Sequence, residues 1–540
     1  MMAHMLNHWT LIFLLFSSFF TLAVELGNLS GSSLNTLFSA TIDHNIDDEY
    51  KSTDIVNSYI LAESVPVKDN IPYGSMLGYR FKPNMSAEFT HSYQIIIYLS
   101  ASLCQLPVNW NTSISNNGLT LYYTFNETIA NNTDFRNMEK VDFQGGYASA
   151  IAETEIISTD SDYMLYLMIQ PQQCNNCTAE DIWVYEFAAS QRKVMFLYDT
   201  EPRISVLDVD YEAAIFQTGD IPFGQNSSYS LYLFKDEYPI PIGLNQSWCA
   251  ISENQQYDKK ISVNESLVSS LKNAFVVSDL DIAKTYTGVL VITNDIIPYG
   301  GGIFEPFVFT MSKTRSCKLA YGLEFCDEVA YAVPISESYL YGKESWSEFV
   351  SSYDNYSESL YQPFEYALQQ VACDTELDAR YSPIRTCNDC KYSYKQWLCA
   401  VTIPRCVSSL NSGVFNLNYT AEQGRNEYIA EHIKPPLPYS EILPCLNVCQ
   451  AIVRDCPADF GFGCPETPEL VQLSYGDQEL LKGNSDADDT DDDESNAIAE
   501  LVRETLSDGS IQTYRLCNYL GVSNIYTSSS SAEATSSAST

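Results

Sequence analysis

The sequence predicts a multidomain protein with a β-rich, sandwich-like N-terminal two-thirds and a small, disulfide-rich helical domain after it. Three observations support this prediction. Up to about residue 338, short segments rich in aromatic and β-branched residues alternate with turn residues. Ten of the sixteen cysteines then fall between Cys373 and Cys517. Finally, 540 residues with 45% hydrophobic content are enough for two to four domains with substantial cores.

The N-terminus has the form of a secretory signal peptide spanning residues 1–23. An apolar run, Leu11–Phe20, is followed by small residues at the positions that precede a cleavage site after Ala23. Neither Lys nor Arg precedes that run, so an uncleaved anchor stays open as the alternative, although the run is short for a bilayer span. Residues 24–68 are polar and acidic and are predicted to form an extended lead-in that can supply a strand.

Two β domains are predicted at 69–193 and 194–338. The most apolar run, Tyr93–Leu103, contains Gln94 and is short for a membrane span, so it is predicted to be a buried strand. Residues 526–540 form a Ser/Thr-rich tail without the hydrophobic end of a lipid-anchor signal. Membrane association is therefore expected to come through a partner.

The six cysteines of the β region leave their pairing open. Cys174 and Cys177 lie in a predicted exposed loop, where a mutual bond would be strained and more distant partners fit equally well. Cys317 and Cys326 fit a bond across a hairpin or small loop. Cys104 and Cys249 each follow a Tyr-containing apolar strand.

After a predicted linker at 339–363, the helical domain spans 364–525. Cys445, Cys449 and Cys456 are four and seven residues apart, which places three sulfurs on one face of a helix. A shorter helix is predicted around Trp397 and Cys399. We expect disulfides at the ten cysteines of this domain: Cys373, Cys387, Cys390, Cys399, Cys406, Cys445, Cys449, Cys456, Cys464 and Cys517.

Zinc and redox chemistry are the alternatives for this cluster. Zinc sites usually need several close cysteine pairs or matching histidines, whereas this stretch has one such pair, Cys387/Cys390, and His432 as the nearby histidine. A redox pair of this spacing is typical beside a βαβ pattern, which the sequence does not contain. Both alternatives are weaker than disulfides.

Sequons and cysteines together indicate the secretory pathway. The cysteine count is even, and the sequence contains eleven N-x-[ST] sites, which are predicted to be glycosylated. The sequons begin at Asn28, Asn84, Asn111, Asn126, Asn131, Asn176, Asn226, Asn245, Asn264, Asn355 and Asn418.

The formal net charge of −40 excludes nucleic acid as a partner, because such a surface repels phosphates. The densest acidic run is Asp486–Glu494, inside a predicted insertion at 484–496. It lacks the glycine and the terminal glutamate spacing of an EF-hand loop. We interpret it as a solvated insertion, with weak calcium binding as the alternative, and expect no cofactor or structural metal.

Catalytic patterns are absent from the sequence. The three histidines after the signal segment, His44, His91 and His432, are widely separated, and no nucleophile-elbow, zinc-protease or phosphate-loop motif occurs. Asp208 and Asp210 would share one face of a strand and are interpreted as solvated surface. A glycosidase built on a carboxylate pair is the enzymatic alternative, and the prediction is that the protein is not an enzyme.

The cysteine spacing carries a resemblance. C-x8-C-x6-C from Cys390, followed by P-C-x3-C-x6-C from Pro444 and two further cysteines, resembles the Frizzled cysteine-rich domain. The acidic insertion and the closeness of Cys387 to Cys390 depart from that pattern. Together with the sequon-rich β region, the chain resembles the fungal Mid family of stretch-activated calcium-channel components.

That resemblance implies a function. It implies an extracytosolic glycoprotein that acts as an accessory subunit of a calcium-permeable channel, supports calcium influx and accompanies a large four-repeat pore subunit. Calcium would be the transported ion, and the location would be the outer face of the plasma membrane, with the endoplasmic reticulum as a second site. The alternative function is a cell-surface receptor or adhesin that binds a ligand through the cysteine-rich domain.

The Frizzled-like pattern also implies a disulfide connectivity. Transferred by order along the chain, the pairs are Cys373–Cys406, Cys387–Cys399, Cys390–Cys456, Cys445–Cys517 and Cys449–Cys464.

Overall fold

The fold is described from a computed structural model. It covers residues 58–85, 90–91, 94–110, 116–156, 163–174, 176–200, 203–218, 227–235, 240, 243–253, 257–263, 273–294, 300–372, 381–407, 416–419, 427–476, 501–505, 511–515, 517–520 and 525–528. The signal segment, Cys373 and the acidic run lie outside these described residues.

The strands of the first β region are β1 Tyr59–Leu61, β2 Val67–Pro72, β3 Leu77–Phe81, β4 Thr90–His91, β5 Gln94–Gln105, β6 Asn116–Thr124, β7 Glu139–Gln144, β8 Tyr147–Glu155, β9 Leu165–Pro171 and β10 Ile182–Ser190. They form one ten-stranded sheet in the order β1-β3-β9-β6-β7-β8-β5-β10-β2, with β4 beside β5. Only one registered pair, Gln144–Tyr147, joins β7 to β8. The two halves on either side of that junction contribute to one hydrophobic core, so the sheet folds over as a sandwich.

Alternation explains how these strands bury their side chains. Trp183, Tyr185 and Phe187 on β10 are fully buried on one face, because successive residues of a strand point to opposite sides. In β5 both faces are covered: Ile95 and Leu99 face the core, while Ser100 and Ser102 are also buried. Residues 94–103 of the apolar run thus lie in a buried strand, as predicted, while Tyr93 is outside the described residues.

The second β region packs two sheets face to face. Its strands are β11 Phe196–Asp199, β12 Ile204–Val209, β13 Ala214–Thr218, β14 Ser227–Lys235, β15 Lys259–Ser262, β16 Ala274–Val277, β17 Thr285–Asn294, β18 Gly301–Phe304 and β19 Phe307–Thr310, joined near the C-terminus by β25 Leu501–Thr505, β26 Ile511–Arg515 and β27 Ile525–Ser528. One sheet has the order β11-β18-β17-β14-β15, with β19 on β17, and the other has β16-β13-β12-β27-β26-β25. Phe216 and Phe275 of one sheet pack with Phe307 and Phe309 of the other in a single core.

The C-terminal strands were not predicted. β27 pairs with β12 through Val206 and Ile525, so the end of the predicted helical domain and the start of the predicted Ser/Thr-rich tail complete a sheet of the second sandwich. The three strands β25, β26 and β27 therefore belong to the β-rich part by their hydrogen bonds, although they follow most of the cysteine-rich part in sequence.

In sequence, most of the helical part lies between strands β11 to β19 and strands β25 to β27 of the second sandwich. The helices among the described residues are α1 Glu127–Asn131, α2 Trp248–Glu253, α3 Glu337–Leu340, α4 Trp346–Leu368, α5 Cys387–Thr402, α6 Leu446–Asp455 and α7 Pro468–Ser474, with a π-helix at Ile429–Ile433 and 3-10 turns at Phe135–Asn137 and Ala458–Phe460. Two small sheets accompany them: β20 Cys317–Ala320 with β21 Tyr331–Pro334, and β22 Arg405–Val407, β24 Tyr439–Ile442 and β23 Asn416–Tyr419.

The predicted linker at 339–363 is largely helical. Ser345 and Glu348 form a reciprocal capping box that starts α4, and the helix continues for 23 residues, past Pro363. Asp354, in its middle, accepts hydrogen bonds from the backbone amides of residues 324 to 326 at 2.8–2.9 Å. This helix therefore holds the loop that carries Cys326, and it does not act as a spacer.

Asp208 and Asp210 are buried, which corrects their interpretation as solvated surface. Asp208 accepts a hydrogen bond at 2.9 Å from Nε of Arg405, whose side chain is 1% exposed. Arg405 also donates to the Leu207 carbonyl and to Oδ1 of Asn518. Burial raises the pKa of Asp208, and Arg405 opposes that rise.

A second buried ion pair involves Asp210, two residues after Asp208. Asp210 is 3.1 Å from the Lys318 ammonium and accepts backbone hydrogen bonds from Ala213 and Leu319. Burial alone would lower the pKa of Lys318, but Asp210 and Glu212 outweigh burial and raise it above its ordinary value. Asp208 on β12 and Asp210 just after it thus both pair with cations that come from outside the sandwich.

Breaking the Asp208–Arg405 pair tests its contribution to the stability of the fold. Arg405→Met should lower the free energy of unfolding by about 3–5 kcal/mol, because Asp208 would remain buried without its cation. The double variant Asp208→Leu with Arg405→Met should recover most of that loss. Denaturant unfolding of the purified chain measures both. Arg203→Met, which removes an exposed arginine 3.2 Å from Asp199, is the control and should cost less than about 1 kcal/mol. Equal losses for the Arg405 and Arg203 variants would contradict the prediction.

Candidate functional site: the cysteine-rich module

The cysteine-rich module comprises α5, α6, α7 and the segments between them. Helix α6 is tied at three points, since Cys445 at its start bonds Cys517, Cys449 within it bonds Cys464, and Cys456 at its end bonds Cys390. These are three of the five pairs that the Frizzled-like pattern implied. The one helical face predicted from the spacing therefore contacts three different segments.

Two of the implied pairs are wrong. Cys406 bonds Cys317, and Cys399 bonds Cys326, so neither Cys373–Cys406 nor Cys387–Cys399 is present. Cys387 is itself disulfide-bonded. The expected Cys317–Cys326 bond is also absent, because both cysteines face the module instead of each other. Order along the chain could not reveal bonds that cross from the β region.

The β-region cysteines form two further bonds. Cys104 bonds Cys249, which links β5 to α2. Cys174 bonds Cys177 and not one of the more distant cysteines that the sequence had left open as partners.

An aromatic cluster fills the interior of the module. The rings of Phe364 and Tyr394 stack with centroids 3.7 Å apart, and Phe462 lies 5.6 Å from Tyr394. Trp397 donates a hydrogen bond at 2.9 Å to the Tyr475 hydroxyl. Helix α4, α5 and the loop after α6 thus share a core.

Asp455 fastens α6 to α5. Its buried carboxylate accepts a hydrogen bond at 2.5 Å from the Ser393 hydroxyl and lies 2.7 Å from Nε of Arg454 and 3.1 Å from Nε of Arg385. The hydrogen bond from Arg454, aided by Ser393 and Arg385, lowers the pKa of Asp455.

A groove runs along the exposed side of α6. Its volume is about 690 Å³, and its lining combines apolar, proline and two charged side chains: Leu446, Gln450, Val453, Arg454, Phe462, Gly463, Cys464, Pro465, Glu466, Pro468 and Val471. Val453 is 47% exposed, and on the adjacent α7 Leu470 is 54% and Leu473 67% exposed. The Cys449–Cys464 bond joins the two walls. The groove is therefore an open recess of mixed apolar and polar character whose two walls are joined by a disulfide.

The sequon asparagines whose side chains the structure describes all lie at the surface. They are Asn84, Asn126, Asn131, Asn176, Asn245 and Asn355, and each is exposed. Glycosylation of the eleven sites stays a prediction.

One group of potential metal ligands occurs among the described residues: Cys104, Glu186 and Cys249, whose ligand atoms lie within 4.8 Å of one another. The two sulfurs are bonded to each other, so they are not available as thiolate ligands. Burial raises the pKa of Glu186 to about 7, while Lys68, 3.8 Å away, opposes the rise and Glu253 adds to it. This group is a partly buried acid beside a disulfide.

None of the helices in the described part of the chain has the length and hydrophobicity that a membrane crossing requires. The many disulfides indicate an oxidising, extracellular or secretory compartment.

The architecture defines a class of protein: a disulfide-rich, multidomain protein with two β-sandwiches and a helical cysteine-rich module. The family model described as "Stretch-activated Ca2+-permeable channel component" (Mid1) matches residues 96–488. The chain belongs to this family, which is one of channel components and not of enzymes.

Named relatives agree with the family. The chain is 31% identical over 477 residues to the stretch-activated cation channel MID1 of Saccharomyces cerevisiae, covering 78% of this chain and 85% of that protein. It is 33% identical over 310 residues to the stretch-activated cation channel yam8 of Schizosaccharomyces pombe, covering 55% and 62% respectively. A MID1 protein of Cryptococcus neoformans is 23% identical over 281 residues, covering 44% and 43%.

Glu186 gives the fold a testable pH dependence. Between its unfolded pKa of about 4.3 and its folded pKa of about 7, the folded state binds more protons, so stability falls as pH rises through that window. Glu186→Gln should flatten this dependence and stabilise the protein by about 1–3 kcal/mol at pH 8. Unfolding midpoints from pH 4.5 to 8 measure the effect, with the exposed Glu358→Gln as control. A parallel pH slope in the wild type and in Glu186→Gln would refute the assignment.

Proposed function

We propose that the chain is an extracytosolic glycoprotein subunit that supports calcium influx through a calcium-permeable channel by docking its cysteine-rich module on the channel's pore subunit. The family match supports the channel role. The named relatives are stretch-activated cation channels, and the proposal assigns conduction to a separate, large four-repeat pore subunit. The Frizzled-like character of the module, the cleaved signal peptide and the plasma-membrane and endoplasmic-reticulum locations are parts of this proposal. So is the absence of a cofactor.

The surface of residues 364–520, which comprises the module and the segments that flank it, supports this proposal. Between residues 364 and 520 the described exposed large apolar side chains are Tyr366, Ile384, Tyr392, Leu437, Val453, Leu470, Leu473 and Tyr519. The much longer stretch 58–338 exposes only Ile60, Val108, Ile151, Ile182, Leu197 and Ile282 among its described residues. Exposed apolar side chains are thus denser on the module, and concentration of this kind is typical of interaction surfaces.

The distribution of sequons along the sequence also favours the cysteine-rich part as the contact surface. Of the eleven sequons, Asn418 alone falls within 364–525, whereas ten precede the module. Glycans are bulky and solubilising, so a surface with few attachment sites is better suited to protein contact. The disulfides reduce the conformational entropy that docking would cost, because α6 and the groove walls are fixed before binding.

Breaking the module should remove its contribution to calcium influx. Cys445→Ser or Cys449→Ser frees one end or the middle of α6 and should abolish stimulated calcium uptake, because the docking surface would no longer be held together. Deleting 486–494 is the control and should leave most uptake intact. Calcium influx is measured together with the amount of protein at the cell surface. Normal influx from a well-expressed Cys445→Ser chain would contradict the proposal.

A surface substitution tests docking without disturbing the fold. Val453→Asp places a charge in the groove and should strongly reduce recovery of the pore subunit when the tagged chain is isolated in mild detergent. Ile151→Asp, at a residue 57% exposed on the first sandwich, is the matched control and should leave recovery unchanged. Equal recovery with both variants would exclude the groove. Release of wild-type chain into the medium, without any channel, would favour a receptor or adhesin instead.

A further inference from the structure

The sequon at Asn176 lies inside the smallest disulfide loop among the described residues. Asn176, Cys177 and Thr178 form the acceptor sequence, and Cys177 bonds Cys174, three residues earlier. Asn176 itself is exposed, while both cysteines are half-buried against the core of the first sandwich. The disulfide therefore fixes the backbone at the central residue of the sequon.

Both ends of this loop are held by further hydrogen bonds. The Tyr73 hydroxyl donates to the Cys174 carbonyl at 3.2 Å and accepts from the Cys174 amide at 3.3 Å. At the other end, the Thr178 amide donates at 2.7 Å and its hydroxyl at 3.3 Å to Oδ2 of Asp181. The Asp181 carboxylate is 4% exposed and accepts from the Asn109 amide as well. The threonine of the sequon is thus bound to a fixed, buried carboxylate.

Glycan transfer needs the two groups that this loop constrains. The Nδ2 atom of the asparagine forms a bond to the anomeric carbon of a lipid-pyrophosphate-linked oligosaccharide, the bond from that carbon to the pyrophosphate breaks, and Nδ2 loses a proton. The transferase must reach the carboxamide and the hydroxyl two residues later at the same time. Here the disulfide constrains Cys177, which lies between these two groups, and Asp181 accepts a hydrogen bond from the hydroxyl.

We propose that Asn176 is a conditional glycosylation site, modified only on chains whose Cys174–Cys177 bond has not yet formed. Bond formation transfers two electrons and two protons from the thiols to a disulfide-bonded oxidant of the secretory pathway, and it then closes the sequon. The oxidising state of the compartment would thereby set glycan occupancy at one site of the first sandwich. This inference rests on the proposed extracytosolic location.

Glycopeptide mass spectrometry of the secreted or membrane-retained full chain tests this proposal. In the wild type, occupancy at Asn176 should be well below that at Asn84, Asn126 and Asn245. The double variant Cys174→Ser with Cys177→Ser should raise occupancy at Asn176 several-fold and leave the other three sites unchanged. A brief pulse of membrane-permeant thiol reductant during synthesis of the wild type should have the same selective effect, which guards against misfolding of the variant.

The possible outcomes separate this inference from the proposed function. Full occupancy at Asn176 in the wild type, or equal occupancy with and without the two cysteines, would overturn the conditional site while leaving the channel role intact. Absence of glycans at all sites would instead overturn the extracytosolic location. A rise at every site in the variant would indicate general misfolding and would also count against the selective effect proposed for the Cys174–Cys177 bond.

Discussion

The buried ion pair between Asp208 and Arg405 is the contact on which the arrangement of the domains depends. Asp208 lies on β12, between β13 and β27 in a sheet of the second sandwich, whereas Arg405 opens the first strand of the small sheet beside the module. Removing either partner alone would leave an uncompensated charge in the protein interior. This loss of stability is far greater than the loss from breaking an exposed ion pair. The guanidinium also lies 5.1 Å from the Tyr331 ring, so the contact includes the β20–β21 hairpin.

Covalent bonds reinforce this contact. Cys317–Cys406 and Cys326–Cys399 connect that hairpin region to β22 and α5, and one hydrophobic core includes Ile215 of the sandwich and Ala400 of the module. The second sandwich and the module are therefore a single packed unit, although their sequences have different character. Any partner that binds the exposed side of α6 binds a surface whose orientation toward the sandwich is already fixed.

The sequence could predict features that depend on local pattern. The length of the apolar run that begins at Tyr93 predicted the buried strand that the structure has at Gln94–Gln105. The four- and seven-residue cysteine spacing predicted that one face of α6 would form the disulfides. Features that depend on distant partners could not be predicted. Asp208 and Asp210 looked like solvated surface because their cations, Arg405 and Lys318, lie more than a hundred residues away. The groove was missed for the same reason, since its walls meet through the fold and the Cys449–Cys464 bond.

The path of the chain determines how a load on the module would be carried. After the module, β25, β26 and β27 add three strands to the sheet of the second sandwich that contains β12, and Asn518 accepts a hydrogen bond from Arg405 beside Asp208. A pulling force applied at α6 would pass through Cys445–Cys517 toward those strands and through Cys390–Cys456 to α5, which Cys326–Cys399 ties to the hairpin region. Both routes are covalent as far as the sandwich. The disulfides therefore connect α6 covalently to both the C-terminal strands and the hairpin region, so a load on α6 reaches the hydrogen-bonded strands of the second sandwich by two separate routes.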